Sequence, residues 1–160
     1  MEPRLERAVF RLLARSGTFS ESDYPALVAA ARRARRSLME HLVAEGRVSE
    51  RDMALCTAES CGLEFEEVDC SRLPRELSKE VPAALSTRNR VIPVRVQDGT
   101  LCVAAAEPLP PAALENLRRV SAKRVVVHIT SASAIAEGIR VLYGQQVLDE
   151  QQVAALEEEV

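Results

Sequence analysis

The strongest constraint on this chain is an internal repeat. Gly17-Thr-Phe19-Ser20-Glu21-Ser-Asp23-Tyr24 recurs as Gly46-Arg-Val48-Ser49-Glu50-Arg-Asp52-Met53, at a constant offset of 29 residues. Leu13 matches Leu42, Val9 matches Leu38 and Arg7 matches Arg36 at the same offset, so the repeat reaches upstream into an amphipathic segment. Self-similarity at a fixed period of this length marks one supersecondary unit used twice.

The physical reading of each unit is a helical hairpin. An apolar-periodic helix ends at Gly17 or Gly46, where a left-handed residue closes a helix without a Cβ penalty. Phe19 or Val48 follows, then Ser20 or Ser49 as an N-cap, with Asp23 or Asp52 three residues on in the manner of a capping box. The apolar residue before each cap is placed to pack on Tyr24 or Met53, as in a hydrophobic staple. Pro25 is the misfit: at that depth it removes a backbone donor, and a local irregularity is expected around it. Leu13, Gly17, Phe19, Ser20 and Asp23, with Leu42, Gly46, Val48, Ser49 and Asp52, are thus the structural positions of a four-helix unit over residues 1–62, closed by Gly62.

Beyond Gly62 the period shortens to two and β-branched runs appear. Leu63–Val68 reads as a short strand, and Pro74 and Pro82 open short helices. Val91–Val96 and Leu101–Ala105 read as strands joined by a Gln97-Asp98-Gly99-Thr100 hairpin turn. A helix from Pro110 to Arg119, a strand from Arg124 to Ile129, and a helix capped by Ser131 or Ser133 and stopped by Gly144 complete residues 63–144. The expected fold class is α+β: duplicated hairpins followed by a small ββαβα unit with helices on one face of its sheet. Residues 145–160 form an acidic tail or linker with apolar residues at helical spacing.

Several function classes are excluded or disfavoured by residue content. Aromatics are 3% of the chain against 47% apolar residues, so the core is aliphatic and no stacking platform for single-stranded nucleic acid is available. The net charge is −3, and Asp149, Glu150, Glu157, Glu158 and Glu159 account for the negative balance. No nucleic-acid partner is expected. No stretch approaches the roughly 18 apolar residues of a membrane span, so no membrane insertion is expected. The six glycines form no GxxxxGK phosphate loop, and Lys79 and Lys123 lie far from any glycine run. Cys56, Cys61, Cys70 and Cys102 lack paired spacing and read as reduced thiols of a cytoplasmic protein, and a zinc site built from the first three with a histidine is disfavoured by that spacing. His41 and His128 read as helix and strand residues. The expectation is no catalytic residue, no cofactor and no metal.

Arg32-Arg33-Ala34-Arg35-Arg36 is the densest charge on the chain. It fits cations opposing a helix macrodipole at a C-terminus, and equally an anion contact to a phosphate, a headgroup or an acidic partner.

The order and spacing of these features resemble the N-terminal domain of the GspE/PilB/MshE family of type II secretion and type IV pilus assembly ATPases. The resemblance rests on the duplicated units, then Cys61-Gly62-Leu63-Glu64-Phe65, Val81-Pro82, Arg88-Asn-Arg-Val91-Ile-Pro-Val94, Asp98-Gly99-x-Leu101-x-Val103-Ala104, Ala106-Glu107-Pro108-Leu109 and Ile135-x-x-x-Ile139-x-x-x-Tyr143-Gly144. It implies a non-catalytic regulatory or interaction domain, cytoplasmic or held at the inner membrane through a platform protein or the ATPase motor. In the branch of the family that binds cyclic di-GMP, a tandem R-L-G-x-x-L-x-x-x-G-x-I motif ending in Gln wraps the nucleotide. Here the Arg places hold Ala8 and Ser37, the Gly places Phe10 and Met39, and the Gln places Ala31 and Ser60. Arg7 and Arg36 stand one residue early, which on a helix turns a side chain by about 100°. The scaffold half of the motif is kept and the ligand half is lost, which leaves Arg7, Arg32, Arg33, Arg35 and Arg36 as candidate contacts for an anion or a protein partner and makes cyclic di-GMP the alternative ligand.

Overall fold

The computed structural model describes residues 1–16 and 19–144. The expected acidic tail and Gly17 lie outside the described residues.

Four helices come first: α1 (Pro3–Ala14), α2 (Tyr24–Arg33), α3 (Leu38–Ala44) and α4 (Glu50–Cys61). The irregularity expected at Pro25 is a single 3-10 turn, Glu21–Asp23, after which α2 starts afresh with the proline in its first turn, where no amide donor is required. Ser49 caps α4 by accepting from the Asp52 N–H at 3.0 Å, and Ser20 donates its own N–H to Asp23 Oδ2 at 2.9 Å. Gly46 takes φ +70°, the left-handed close foreseen at the end of the first helix of the second unit. Ser37 and Glu40 form a further capping box at the start of α3.

The repeat is real in its packing. Val9, Phe10, Leu13 and Phe19 and their counterparts Leu38, Met39, Leu42 and Val48 are all buried and form one cluster, joined by Tyr24 and Met53 and by Leu27 and Cys56. Each pair occupies equivalent positions of the two units. Two expectations need correction. First, the hairpins are not self-contained: α1 packs on α4 and α2 on α3, so the units interleave. The reason is that neither unit covers its own apolar residues, and a common centre hides both sets from water. Second, the equivalence does not extend to Arg7 and Arg36. Arg7 lies within the twelve-residue α1, whereas Arg36 precedes the Ser37 cap of the seven-residue α3.

The second half is a three-stranded sheet in the order β1-β2-β3, with β1 at Val91–Gln97, β2 at Thr100–Ala105 and β3 at Arg124–Ile129. β1 and β2 are antiparallel across the Asp98-Gly99 turn, where φ is +51° and +73° at the two residues, a geometry that the Asp-Gly pair tolerates. β2 and β3 are parallel, joined by the crossover helix α6 (Pro111–Ser121). Helix α5 (Ala83–Asn89) leads into β1, and a last helix, α7, covers residues 132–144 with Ser131 Oγ accepting from the Ala134 N–H at 3.2 Å. Gly144 is itself helical, and the stop expected of it lies at the edge of the described residues.

Helices cover both faces of the sheet, not one. Val91, Leu101, Val103, Ala105 and Val127 meet Leu117 of α6 and Val81, whereas Ile92 and Ala104 meet Ile135 of α7 with Leu73, Leu77 and Cys70. The strands carry apolar residues on both sides of the pleat, and each side needs a cover. Gly138 permits the close approach of α7: a Cβ there would stand 2.5 Å from Ile92 Cδ1. Leu63–Val68 is not a strand. Its one ladder contact is a parallel bridge of Phe65 to Ile129, with Ile129 N–H donating to the Glu64 carbonyl at 2.8 Å and Glu66 N–H to the Ile129 carbonyl at 2.9 Å. Ala54 and Ala58 of α4 pack with Ile129, Leu63 and Phe65, so the helical half shares a small core with the end of β3.

Candidate functional site

Two places on the molecule gather polar side chains. The first is the corner between α2 and α3. Arg32 and Arg33 occupy the last turn of α2, and Arg35 follows in the left-handed region at φ +57°, with Arg36 N–H donating to the Ala31 carbonyl at 3.0 Å. Arg36 faces Glu45 at 3.7 Å, both half exposed, a pairing of small energetic value. Arg32, Arg33 and Arg35 pair with no carboxylate among the described residues. Arg7 is elsewhere: its guanidinium lies over the Tyr24 ring at 4.9 Å, and the Tyr24 hydroxyl donates to Glu6 at 3.2 Å. Burial and the Glu6 carboxylate push the Tyr24 phenol up, against the opposing charges of Arg7 and Arg32. The structure therefore places Arg7 on the Tyr24 ring and leaves Arg36 with Glu45.

The second place is a row of side chains across one face of the sheet, and sequence reasoning did not find it. Cys102 on β2 is opposite Arg95 on β1, and β3 places His128 beside Ala104, two residues along on the same face. The bridge at Phe65 turns Glu64 and Glu66 toward His128. His128 Nδ1 is 3.2 Å from Glu66 Oε1 and 3.6 Å from Cys102 Sγ, while its Nε2 is 3.5 Å from Glu64 Oε2. Arg95 holds Glu66 with a 2.8 Å contact to one oxygen and 3.0 Å to the other. The Cys102 thiol is pushed up by burial, with Glu66 and Glu64 adding to the effect and Arg95 opposing it.

This row is not a nucleophile-base-orienter relay of the usual kind. The thiol and the Glu66 carboxylate converge on the same ring nitrogen and so compete for it, and the carboxylate on the far nitrogen belongs to Glu64, whose side chain is exposed to water. The other cysteines do not join it. Cys56 faces the helical core and Cys61 the junction of the halves, while Cys70 shares the α7 face with the row but donates its thiol to the Ala134 carbonyl. The signal available in the sequence was the alternation of Cys102 and His128, but which strands pair, and in what register, decides whether two such residues meet.

Known proteins resemble this chain in sequence and fold. The solved N-terminal domain of XpsE superposes at a TM-score of 0.62 with 27% identity, covering 89% of this chain and 99% of that one. A solved structure of MshE with cdg superposes at 0.65 with 22% identity, covering 84% of this chain and 98% of that one, and shares the fold. Among curated proteins, bacteriophage adsorption protein B of Escherichia coli is 27% identical over 105 residues, 66% of this chain. The chain spans about 14% of the length of that relative. The MshEN domain family matches residues 61–148, a little over half of the chain and mainly its sheet-bearing part. The likeness to secretion and pilus ATPase N-terminal domains, read from the order of motifs, is the one the comparisons return, and the chain belongs to the MshEN domain family.

Proposed function

We propose that this chain is a non-catalytic regulatory module that works in the cytoplasm by docking a protein partner of a secretion, pilus or motility apparatus, either the platform protein or the motor. The observation that carries the reading is the contrast between the buried repeat positions and the basic run that joins the two units. The scaffold side chains are buried in one core, while Arg32, Arg33 and Arg35 stand beside them without carboxylate partners among the described residues. Cations in such a place supply steering and selectivity for an acidic surface. The domain organisation proposed with it is a helical partner-facing unit, residues 1–62, carried on the sheet-bearing unit, residues 63–144.

The test is binding of the purified chain to the cytoplasmic region of its cognate platform protein and, separately, to the motor domain, by biolayer interferometry. Reversing three charges, Arg32→Glu, Arg33→Glu and Arg35→Glu, should weaken one of these complexes at least tenfold and flatten its salt dependence. A complex indifferent to the reversal, or no complex with either partner, sinks the reading.

Cyclic di-GMP is the second reading, favoured by the stacking of Arg7 on Tyr24 and by the nucleotide named with MshE. Against it, the two Gly places of the motif are filled by Phe10 and Met39, both core residues, and Ser37 commits its hydroxyl to the α3 cap at 3.1 Å. Calorimetric titration with the dinucleotide decides: saturable binding at micromolar concentration, abolished by Arg7→Ala, establishes a receptor and displaces the docking reading for that face.

A further inference from the structure

The geometry points to a divalent transition-metal site on the sheet, with Cys102 Sγ, His128 Nδ1 and Glu66 Oε1 as ligands and a fourth position left for water. These three donor atoms lie within 4.8 Å of one another, each from a different strand or segment. For zinc, with bonds of about 2.0–2.3 Å, tetrahedral geometry separates neighbouring ligand atoms by about 3.3–3.8 Å. The observed 3.2 Å from Nδ1 to Oε1 and 3.6 Å from Nδ1 to Sγ are already near that spacing. One thiolate, one imidazole and one carboxylate form a donor set suited to zinc or cobalt and poorly suited to magnesium or calcium.

The surroundings support the ligands. Glu64 is exposed and lies 3.5 Å from Nε2, the ring nitrogen that faces away from the other donors, within reach of the carboxylate-histidine pairing that supports a metal-bound imidazole. Arg95 grips Glu66 and leaves lone pairs on its oxygens toward the ring. Charge closes as well. A Cys102 thiolate with Glu64 and Glu66 carries three negative charges, Arg95 returns one, and a divalent ion balances the remaining two. Cys102 is 6% exposed and the His128 side chain 12% exposed, so the site is sheltered and the ion would tie β2, β3 and the segment through Glu66 together. The site requires the sheet register and none of the arginines of the α2/α3 corner, so it stands apart from the docking reading.

The test uses the full chain, stripped with a chelator and titrated with Co²⁺. One equivalent should bind and produce a thiolate-to-cobalt charge-transfer band in the near ultraviolet, and Zn²⁺ should displace it and raise the melting temperature. The band should be lost in Cys102→Ser and weakened at least tenfold in affinity in His128→Gln, and it should persist in the combined Cys56→Ser, Cys61→Ser, Cys70→Ser variant. Circular dichroism monitors folding, and His128→Gln carries the test if Cys102→Ser does not fold. A band that survives both substitutions, or a folded chain that gives no band, overturns the proposal.

Discussion

The two repeat units carry one sequence pattern and bury the same positions, yet they fill those positions with different side chains. The first builds its centre from aromatics: Phe10 stacks on Phe19 at 4.9 Å between ring centroids and meets Tyr24 edge-on at 5.1 Å. The second fills the matching positions with Met39, Val48 and Met53. Its first helix has seven residues against twelve, and its arginine lies outside the helix. What survives is burial at equivalent positions, and what drifts is chemistry, length and capping. Selection for a shared core acts on volume and hydrophobicity, which different side chains can supply.

Four experiments break or sharpen that comparison. The largest effect belongs to Leu42→Ala and Leu13→Ala, at 0% and 2% exposure, each expected to cost about 2–5 kcal/mol in denaturant unfolding. Because both sit in one cluster, the double variant should depart from additivity by about 0.5 kcal/mol or more. Strict additivity would mean two separate hairpins. Next, Gly46→Ala should cost about 1–2 kcal/mol from left-handed strain alone, since a Cβ there meets nothing within 4 Å. A neutral result would show the helix end relaxing freely. Ser49→Ala should cost about 1 kcal/mol through the lost α4 cap. Ser20→Ala should cost less, because there the backbone N–H of Ser20 still reaches Asp23; equal costs would restore symmetry to the caps. The smallest effect is Arg35→Gly, expected to raise stability by about 0.3 kcal/mol, as relief of the left-handed strain slightly outweighs added freedom in the unfolded chain. A loss of stability on this substitution would assign Arg35 a structural contact.

The elements that were legible share a reason. Repeat, helix ends and strands are written in local patterns: Gly46 at a left-handed close, Asp98-Gly99 in a tight turn, and β-branched runs at Val91–Gln97 and Arg124–Ile129. Leu63–Val68 misled for the converse reason. Its apolar residues spread over three clusters and a bridge, so their spacing carries no single period. The basic run was legible as charge, but its division, with Arg32 and Arg33 in the last turn of α2 and Arg36 at Glu45, depends on where the chain turns after α2.

By itself, then, the sequence determined the duplicated unit, the α+β class, the order of strands and helices, and membership of a domain family. Each follows from interactions between residues close along the chain or from their bare order. Only the tertiary structure decided that α1 packs with α4 and α2 with α3, that both faces of the sheet are covered, and that Glu66, Arg95, Cys102 and His128 form a row. Those outcomes depend on strand register and on the sharing of apolar surface between distant segments, and neither leaves a mark at any one position of the chain.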